Sequence, residues 1–377
     1  MTKHERSLPR EFDAYSRDDT LALKGIALLM MVWHHLFTMT EYIYEPWQPV
    51  YFVSLMDSFG CQGILQLISY CGKICVPMFF FLAGFGQYRG MEERGTGFDT
   101  LGRLKRFYLS YWKIFLLFIP AAFLFFANQN PFSAAYPVYA NYNSFQLFPF
   151  VRSFLGIEAV YNTEWWFILP YVICTCLLPL WAMLIKDRSL TTGLMLMIVL
   201  AVVYNLGEPF ANSSIWNMIF GQSKYCLSFV MGALMAKDHA LEGLTRRWQR
   251  SGMDRLPVNA LSVVLLLTLR LACCNDDPEM DILFTPVLIM LFTLILRRVR
   301  PVFSLFRLFG RHSTNIWLFH TFLCYYFCVC QHIVYLPKYA VLILPWFMAM
   351  CLVVSFGVDF FWSLVGRVCH AGVKQHG

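Results

Sequence analysis

The residues best equipped for chemistry lie in one apolar run. Leu21–Phe37 reads LALKGIALLMMVWHHLF, with Lys24 toward one end and His34–His35 toward the other. Ionisable groups inside a membrane span are costly, so each of the three is a candidate functional group. On a helix, the spacing from Lys24 to His35 brings the two to within roughly 20° of one face and about 16 Å apart along the axis. His34 falls about 80° off that line. A cation then sits near one membrane surface, with an imidazole deep toward the other. Histidine titrates near working pH and suits the base that activates a hydroxyl attacking an acyl group. The plain alternative is a pair of packing or interfacial histidines.

Other ionisable groups fall at comparable depth. Lys73 precedes the basic residue Arg89 by a distance that places it about 24 Å up its helix, near the level of His35. Glu164 opens a span in the run Asn162-Thr163-Glu164-Trp165-Trp166, Lys224 is near a span's centre, and His320 is about midway along another. Arg270 lies near the end of its span, with Asp276, Asp277 and Asp281 just beyond. Lys113 sits low enough to snorkel to the surface. The run Arg103-Leu104-Lys105-Arg106 could form, with Lys24, a basic mouth for a phosphorylated donor such as coenzyme A. Ordinary loop charge is the alternative for each of these.

The elements that must position these groups are helices in a membrane. The chain has 377 residues, of which 58% are hydrophobic and 14% charged, and its mean hydropathy is +0.54. Soluble domains carry about 25% charged residues, so the composition is that of an all-α polytopic membrane protein. Ten spans are expected, at about 20–40, 66–88, 107–127, 164–185, 191–206, 215–236, 257–273, 281–297, 311–333 and 339–366. The segments 1–19, 89–106, 186–190, 237–256, 297–311 and 367–377 hold four, five, two, five, five and two basic residues, whereas the alternate loops hold only Arg152 and Lys338. That asymmetry predicts both termini in the cytoplasm. Residues 1–19 are then a cytoplasmic segment, 20–366 the membrane domain and 367–377 a cytoplasmic tail. No cleavable signal peptide is expected, because Leu21–Phe37 reads as a retained span.

The net charge of +7 is parcelled into loops, which argues against nucleic-acid binding. Most of the thirteen cysteines lie in apolar runs, as small hydrophobes do, and no His/Cys set has zinc spacing, so no metal is expected. Walker A, GxSxG and HExxH motifs are absent. The outer loops 41–65 and 128–163 are rich in aromatics, which suit either sugar faces or a membrane interface.

Together these residues resemble the acyltransferase 3 family of multi-span membrane acyltransferases. That family opens with Arg, ten residues, then His, in a context like LRGIAALLVVLYH. Leu23-Lys24-Gly25-Ile26-Ala27 through His35 is similar in register, with lysine in place of the arginine. Val76-Pro77-Met78-Phe79-Phe80-Phe81-Leu82-Ala83-Gly84-Phe85 resembles the family's VPLFFFLSGY, with Ala83 in place of the serine. Arg103 and Arg106 before Phe107–Trp112, Trp166-Phe167-Ile168-Leu169, and Ile316-Trp317-Leu318-Phe319-His320 resemble its later signatures.

The resemblance implies transfer of an acyl group, usually acetyl, from cytoplasmic acetyl-CoA to a hydroxyl of a surface or exported polysaccharide or glycolipid. It gives His35 the role of base or acyl relay, Lys24 that of orienting the donor, and Arg103 and Arg106 the donor phosphates, with Lys113 nearby. His320 and His34 are further relay candidates. Lys73, Glu164, Trp166 and Lys224 are acceptor-side candidates by depth and loop position. The competing expectation is a transporter or flippase that moves a glycan or acylated intermediate. A sensor or scaffold is a third, with no signalling domain to support it. Broken or repeated helices, which a transporter needs, are not evident in the sequence.

Overall fold

The computed structural model describes residues 12–38, 64–95, 99–126, 141–207, 214–273 and 280–375. Glu41, Glu45 and Asp57 of the first long loop, 127–140 of the second, and Asp276 and Asp277 lie outside the described residues. All regular structure among the described residues is helical. The helices are α1 (Arg17–Phe37), α2 (Ile64–Tyr70), α3 (Cys75–Arg94), α4 (Thr100–Ala121), α5 (Leu147–Phe154), α6 (Ile168–Cys176), α7 (Leu178–Lys186), α8 (Leu190–Gly207), α9 (Ser214–Ala236), α10 (Ala240–Arg250), α11 (Leu256–Cys273), α12 (Asp281–Arg298), α13 (Arg300–Thr321), α14 (Cys328–Tyr335) and α15 (Ala340–Gln375). Short 3₁₀ turns at Cys71–Ile74 and Thr163–Phe167, and a π turn at Phe322–Tyr326, join some of them.

Helix occupies each of the ten expected intervals, but length and apolarity single out fewer membrane crossings. Among the described residues, five helices are long and apolar enough, or seven if each of two bent pairs is one span. That makes the chain a membrane protein. The bends explain part of the difference from ten, and they correct the expectation of unbroken helices, since two of the apolar segments are broken. The interval 164–185 breaks by 51° between Cys176 and Leu178, just before Pro179, whose ring and missing N–H cannot continue the preceding helix. The interval 311–333 turns by 96° after the π turn.

α1 begins three residues earlier than expected because Ser16 and Asp19 form a capping box: the Asp19 amide donates to Ser16 Oγ at 3.1 Å and the Ser16 amide to Asp19 Oδ2 at 2.7 Å. The same carboxylate holds Arg297 of α12 through both oxygens, at 2.8 and 2.6 Å. Arg307 reaches Asp18 at 2.7 Å, Arg89 reaches Glu242 at 3.1 Å, and Tyr15 meets Thr245 at 2.9 Å. Residues of the basic segments 1–19, 89–106, 237–256 and 297–311 are thereby laced together at one end of the bundle.

Two helix pairs set the centre: α1 lies along α13, and α3 along α9. Each crossing is closed by a reciprocal glycine pair. A Cβ on Gly25 would overlap the Phe306 carbonyl and one on Gly310 the Leu21 carbonyl; Gly84 and Gly232 stand likewise against Phe229 and Phe81. In an apolar solvent, helices associate through such close backbone contact, not through hydrophobic burial. The glycines of the Phe81-Leu82-Ala83-Gly84-Phe85-Gly86 stretch thus bear on packing, with Gly84 at the crossing and Gly86 on a cavity wall.

Candidate active site

Two cavities lie in line beside α1. The first, of about 210 Å³, is lined by Thr20, Lys24, Phe79, Gln87, Arg103, Tyr171, Ser313 and Trp317 among others, with no carboxylate on its walls among the described residues. The second, of about 260 Å³, is lined by His34, His35, Lys73, Cys75, Glu164, Trp166, Phe167, Arg270, Asp281 and Trp317 among others. α1 contributes Lys24 to one and His35 to the other, which is what a shared helix face eleven residues long delivers.

His35 is fixed from behind. The Tyr325 hydroxyl, on the π turn, donates to the His35 backbone carbonyl and lies 3.3 Å from the His35 Nδ1. Its single proton is used on the carbonyl, so its oxygen accepts from Nδ1–H. That tautomer leaves Nε2 with a lone pair, and Nε2 faces Glu164 Oε2 at 3.6 Å. His320 sits beside His35 with ring centroids 5.0 Å apart. Its Nδ1 lies 3.1 Å from the Ile316 carbonyl and 2.9 Å from that of Trp317, and so carries a proton. Its Nε2 is buried with no hydrogen-bond partner among the described residues.

Glu164 is held by a local turn that the sequence encodes. Asn162 caps the 3₁₀ turn by accepting from the Glu164 amide at 3.0 Å, and donates to Thr321 at 2.8 Å. The Trp165 indole donates to the Leu318 carbonyl at 2.8 Å, and Trp166 lines the same cavity as Glu164. Trp166 also packs on Tyr225 with centroids 4.5 Å apart.

The remaining candidates divide clearly. His34 lines the second cavity but commits its Nδ1 to the Ser69 carbonyl at 3.2 Å and to Thr38 Oγ1 at 2.9 Å. Lys73 joins that cavity from the Cys71–Ile74 turn, where Gly72 lets the backbone pass against the Met30 carbonyl. Of the three acids expected near Arg270, Asp281 forms a two-pronged pair with it, at 2.6 and 2.9 Å. Lys224 lies 5.8 Å from the Tyr225 ring and outside the cavity lining. Arg106 is exposed and Lys113 half-buried, and neither lines the first cavity, so Arg103 alone of that basic run joins Lys24. Lys24 Nζ has no hydrogen-bond or ion-pair partner among the described residues.

Sequence reading missed Tyr325, Phe79 and the place of Trp317 on both cavity walls. Tyr325 acts across 290 positions, and no local pattern announces such a contact. Trp317 stood only inside a motif leading to His320.

Comparison with known proteins completes the picture. A family model described as an acyltransferase domain matches residues 21–368, from within the first turns of α1 into α15. No curated protein and no solved structure matches the chain.

Proposed function

Because the chain belongs to the acyltransferase 3 family, whose activity is acyl transfer, we propose that it acylates a hydroxyl of a cell-surface or exported polysaccharide or glycolipid, using an acyl-CoA, most simply acetyl-CoA, as donor. The observation that carries the reading is the pairing of an acid-free cationic cavity with a second cavity into which one imidazole nitrogen is left open. Lys24 and Arg103 suit the phosphates of a coenzyme A donor. In the second cavity, His35 Nε2 takes the proton of the acceptor hydroxyl. The oxygen then attacks the thioester carbonyl, the C–O bond forms, the C–S bond breaks, and the proton passes to the departing coenzyme A thiolate.

Glu164, 3.6 Å from Nε2, stabilises the imidazolium that forms between these steps. Trp166 and Tyr225 offer aromatic faces beside Lys73, a combination that fits a sugar ring. The Lys24 end faces the cytoplasm in this reading and the His35 cavity faces outward, in a plasma or inner membrane, as the basic segments favour.

Mass spectrometry of surface glycans from cells with the wild type, His35→Ala or no protein is the test, with membrane levels matched. Acyl esters present only with the wild type are expected. Esters that persist in His35→Ala would remove His35 from the chemistry. Glycans identical in all three, with no acyl-CoA consumed by the purified protein, would favour a flippase.

A further inference from the structure

Trp317 is the residue that the two cavities share. On the Lys24 side, Phe79 of α3 stacks on it with centroids 5.1 Å apart and planes within 8°. On the His35 side, Phe167 also stacks on it, with planes 17° apart. Phe79 lines only the first of these cavities and Phe167 only the second. A wall of three stacked aromatic side chains, drawn from α3, α13 and the Thr163–Phe167 turn, thus stands between the cationic cavity and the imidazole.

The backbone of this wall is pinned while its middle ring is not. The carbonyls of Trp317 and Leu318 accept from the His320 ring and the Trp165 indole, at 2.9 and 2.8 Å. The Trp317 indole N–H has no hydrogen-bond partner among the described residues, and the side chain is half-buried. The ring is therefore held by stacking and apolar packing, which a rotamer change can break without leaving a buried polar atom unpaired.

We propose that Trp317 is the partition through which the acyl group passes from the donor cavity to His35, and that its ring sets the largest acyl group admitted. The inference rests on the acyl-CoA reading for its substrate, though not for the barrier itself. Closed, the stack keeps water in the outer cavity from the donor thioester. Turned aside, it joins the two cavities through an opening bounded by the flanking Phe79 and Phe167 rings. Replacing the indole by a methyl group joins the cavities and removes both functions.

Cys75 provides a probe independent of activity, since it lines the His35 cavity and is buried. In sealed vesicles of either orientation, a charged methanethiosulfonate reagent is added from one face and modification of the Cys75 peptide read by mass spectrometry. In the wild type, labelling is expected from the His35 face only; in Trp317→Ala, from both faces, with at least a tenfold gain from the Lys24 face. Trp317→Phe restores a stacked ring and is expected to keep Cys75 protected from the Lys24 face.

In parallel, free coenzyme A released without acceptor is measured with acetyl-, butyryl- and hexanoyl-CoA. Trp317→Ala is expected to release it faster, because water reaches the thioester carbonyl and displaces the thiol, and to narrow the preference for acetyl-CoA at least tenfold. A folded Trp317→Ala protein, by its thermal melt, with unchanged Cys75 protection and unchanged chain preference overturns the proposal. Altered Cys75 protection with no acyl-CoA consumed by any variant upholds the partition and rejects the donor reading instead.

Discussion

Tyr325 holds His35 at two points, donating its hydroxyl proton to the His35 carbonyl and receiving Nδ1–H on the same oxygen. The first contact fixes where the residue sits and the second fixes which nitrogen is left for the cavity. Tyr325→Phe removes both. The ring then loses the partner that selects its tautomer, at a cost of about 1–2 kcal/mol in the transition state, or about tenfold in kcat. KM for acyl-CoA is expected to stay within twofold, because Tyr325 does not line the Lys24 cavity. Steady-state kinetics on the purified protein would check this, and a rise in KM with unchanged kcat would contradict it.

Glu164 answers His35 from the opposite side, 3.6 Å from Nε2. A carboxylate there is of most use when the imidazole is charged, which happens only as the hydroxyl proton moves. Glu164→Gln keeps the shape and loses the charge, so kcat is expected to fall by roughly 10²-fold with little change in protein level. Glycan ester content at matched expression is a sufficient readout. If Gln matches Glu, the carboxylate acts only in packing against Trp166.

Lys24 and Arg103 face a cavity without carboxylates, whereas Arg106 is exposed outside it. Lys24→Ala and Arg103→Ala are each expected to weaken coenzyme A binding roughly tenfold, the scale of one charge-assisted contact. Arg106→Ala should bind as the wild type does. Lys24→Arg tests whether charge suffices where the family motif has arginine. Calorimetric titration of coenzyme A into the protein in nanodiscs separates these outcomes, and equal losses for Arg103 and Arg106 would sink the assignment.

What could be read ahead of the structure follows from the range of the interactions involved. Lys24 and His35 share one helix, so their alignment follows from a fixed rotation per residue. Glu164 and Trp166 lie in a five-residue turn capped by Asn162, again a local pattern. The ten helical intervals were legible for the same reason, but the number of straight crossings was not. A break such as that before Pro179 depends on whether neighbouring helices let the chain continue past it. The Trp317 partition needs three segments brought together, and Tyr325 sits in a π turn that shifts the helical period by a residue. Contacts of that kind have no signature in a single sequence.

Arg270 and Asp281 show which charges in the His35 cavity serve the fold. The pair is buried, two-pronged, and joins α11 to α12, while a further Arg270 nitrogen reaches the Tyr70 carbonyl at 3.4 Å at the end of α2. Desolvating two ions offsets most of their attraction, so the pair adds little net stability, yet removing one partner strands the other in a dry site. Asp281→Asn is therefore expected to cost about 3–5 kcal/mol, seen as a large drop in the melting temperature of the detergent-solubilised protein. The double change Arg270→Met with Asp281→Leu should recover most of that loss. Recovery of the fold without recovery of activity would add a second role for Arg270, that of fixing the cavity wall it shares with Lys73. If the double variant melts as low as Asp281→Asn, the charges themselves hold α11 against α12, and the weak-pair argument fails.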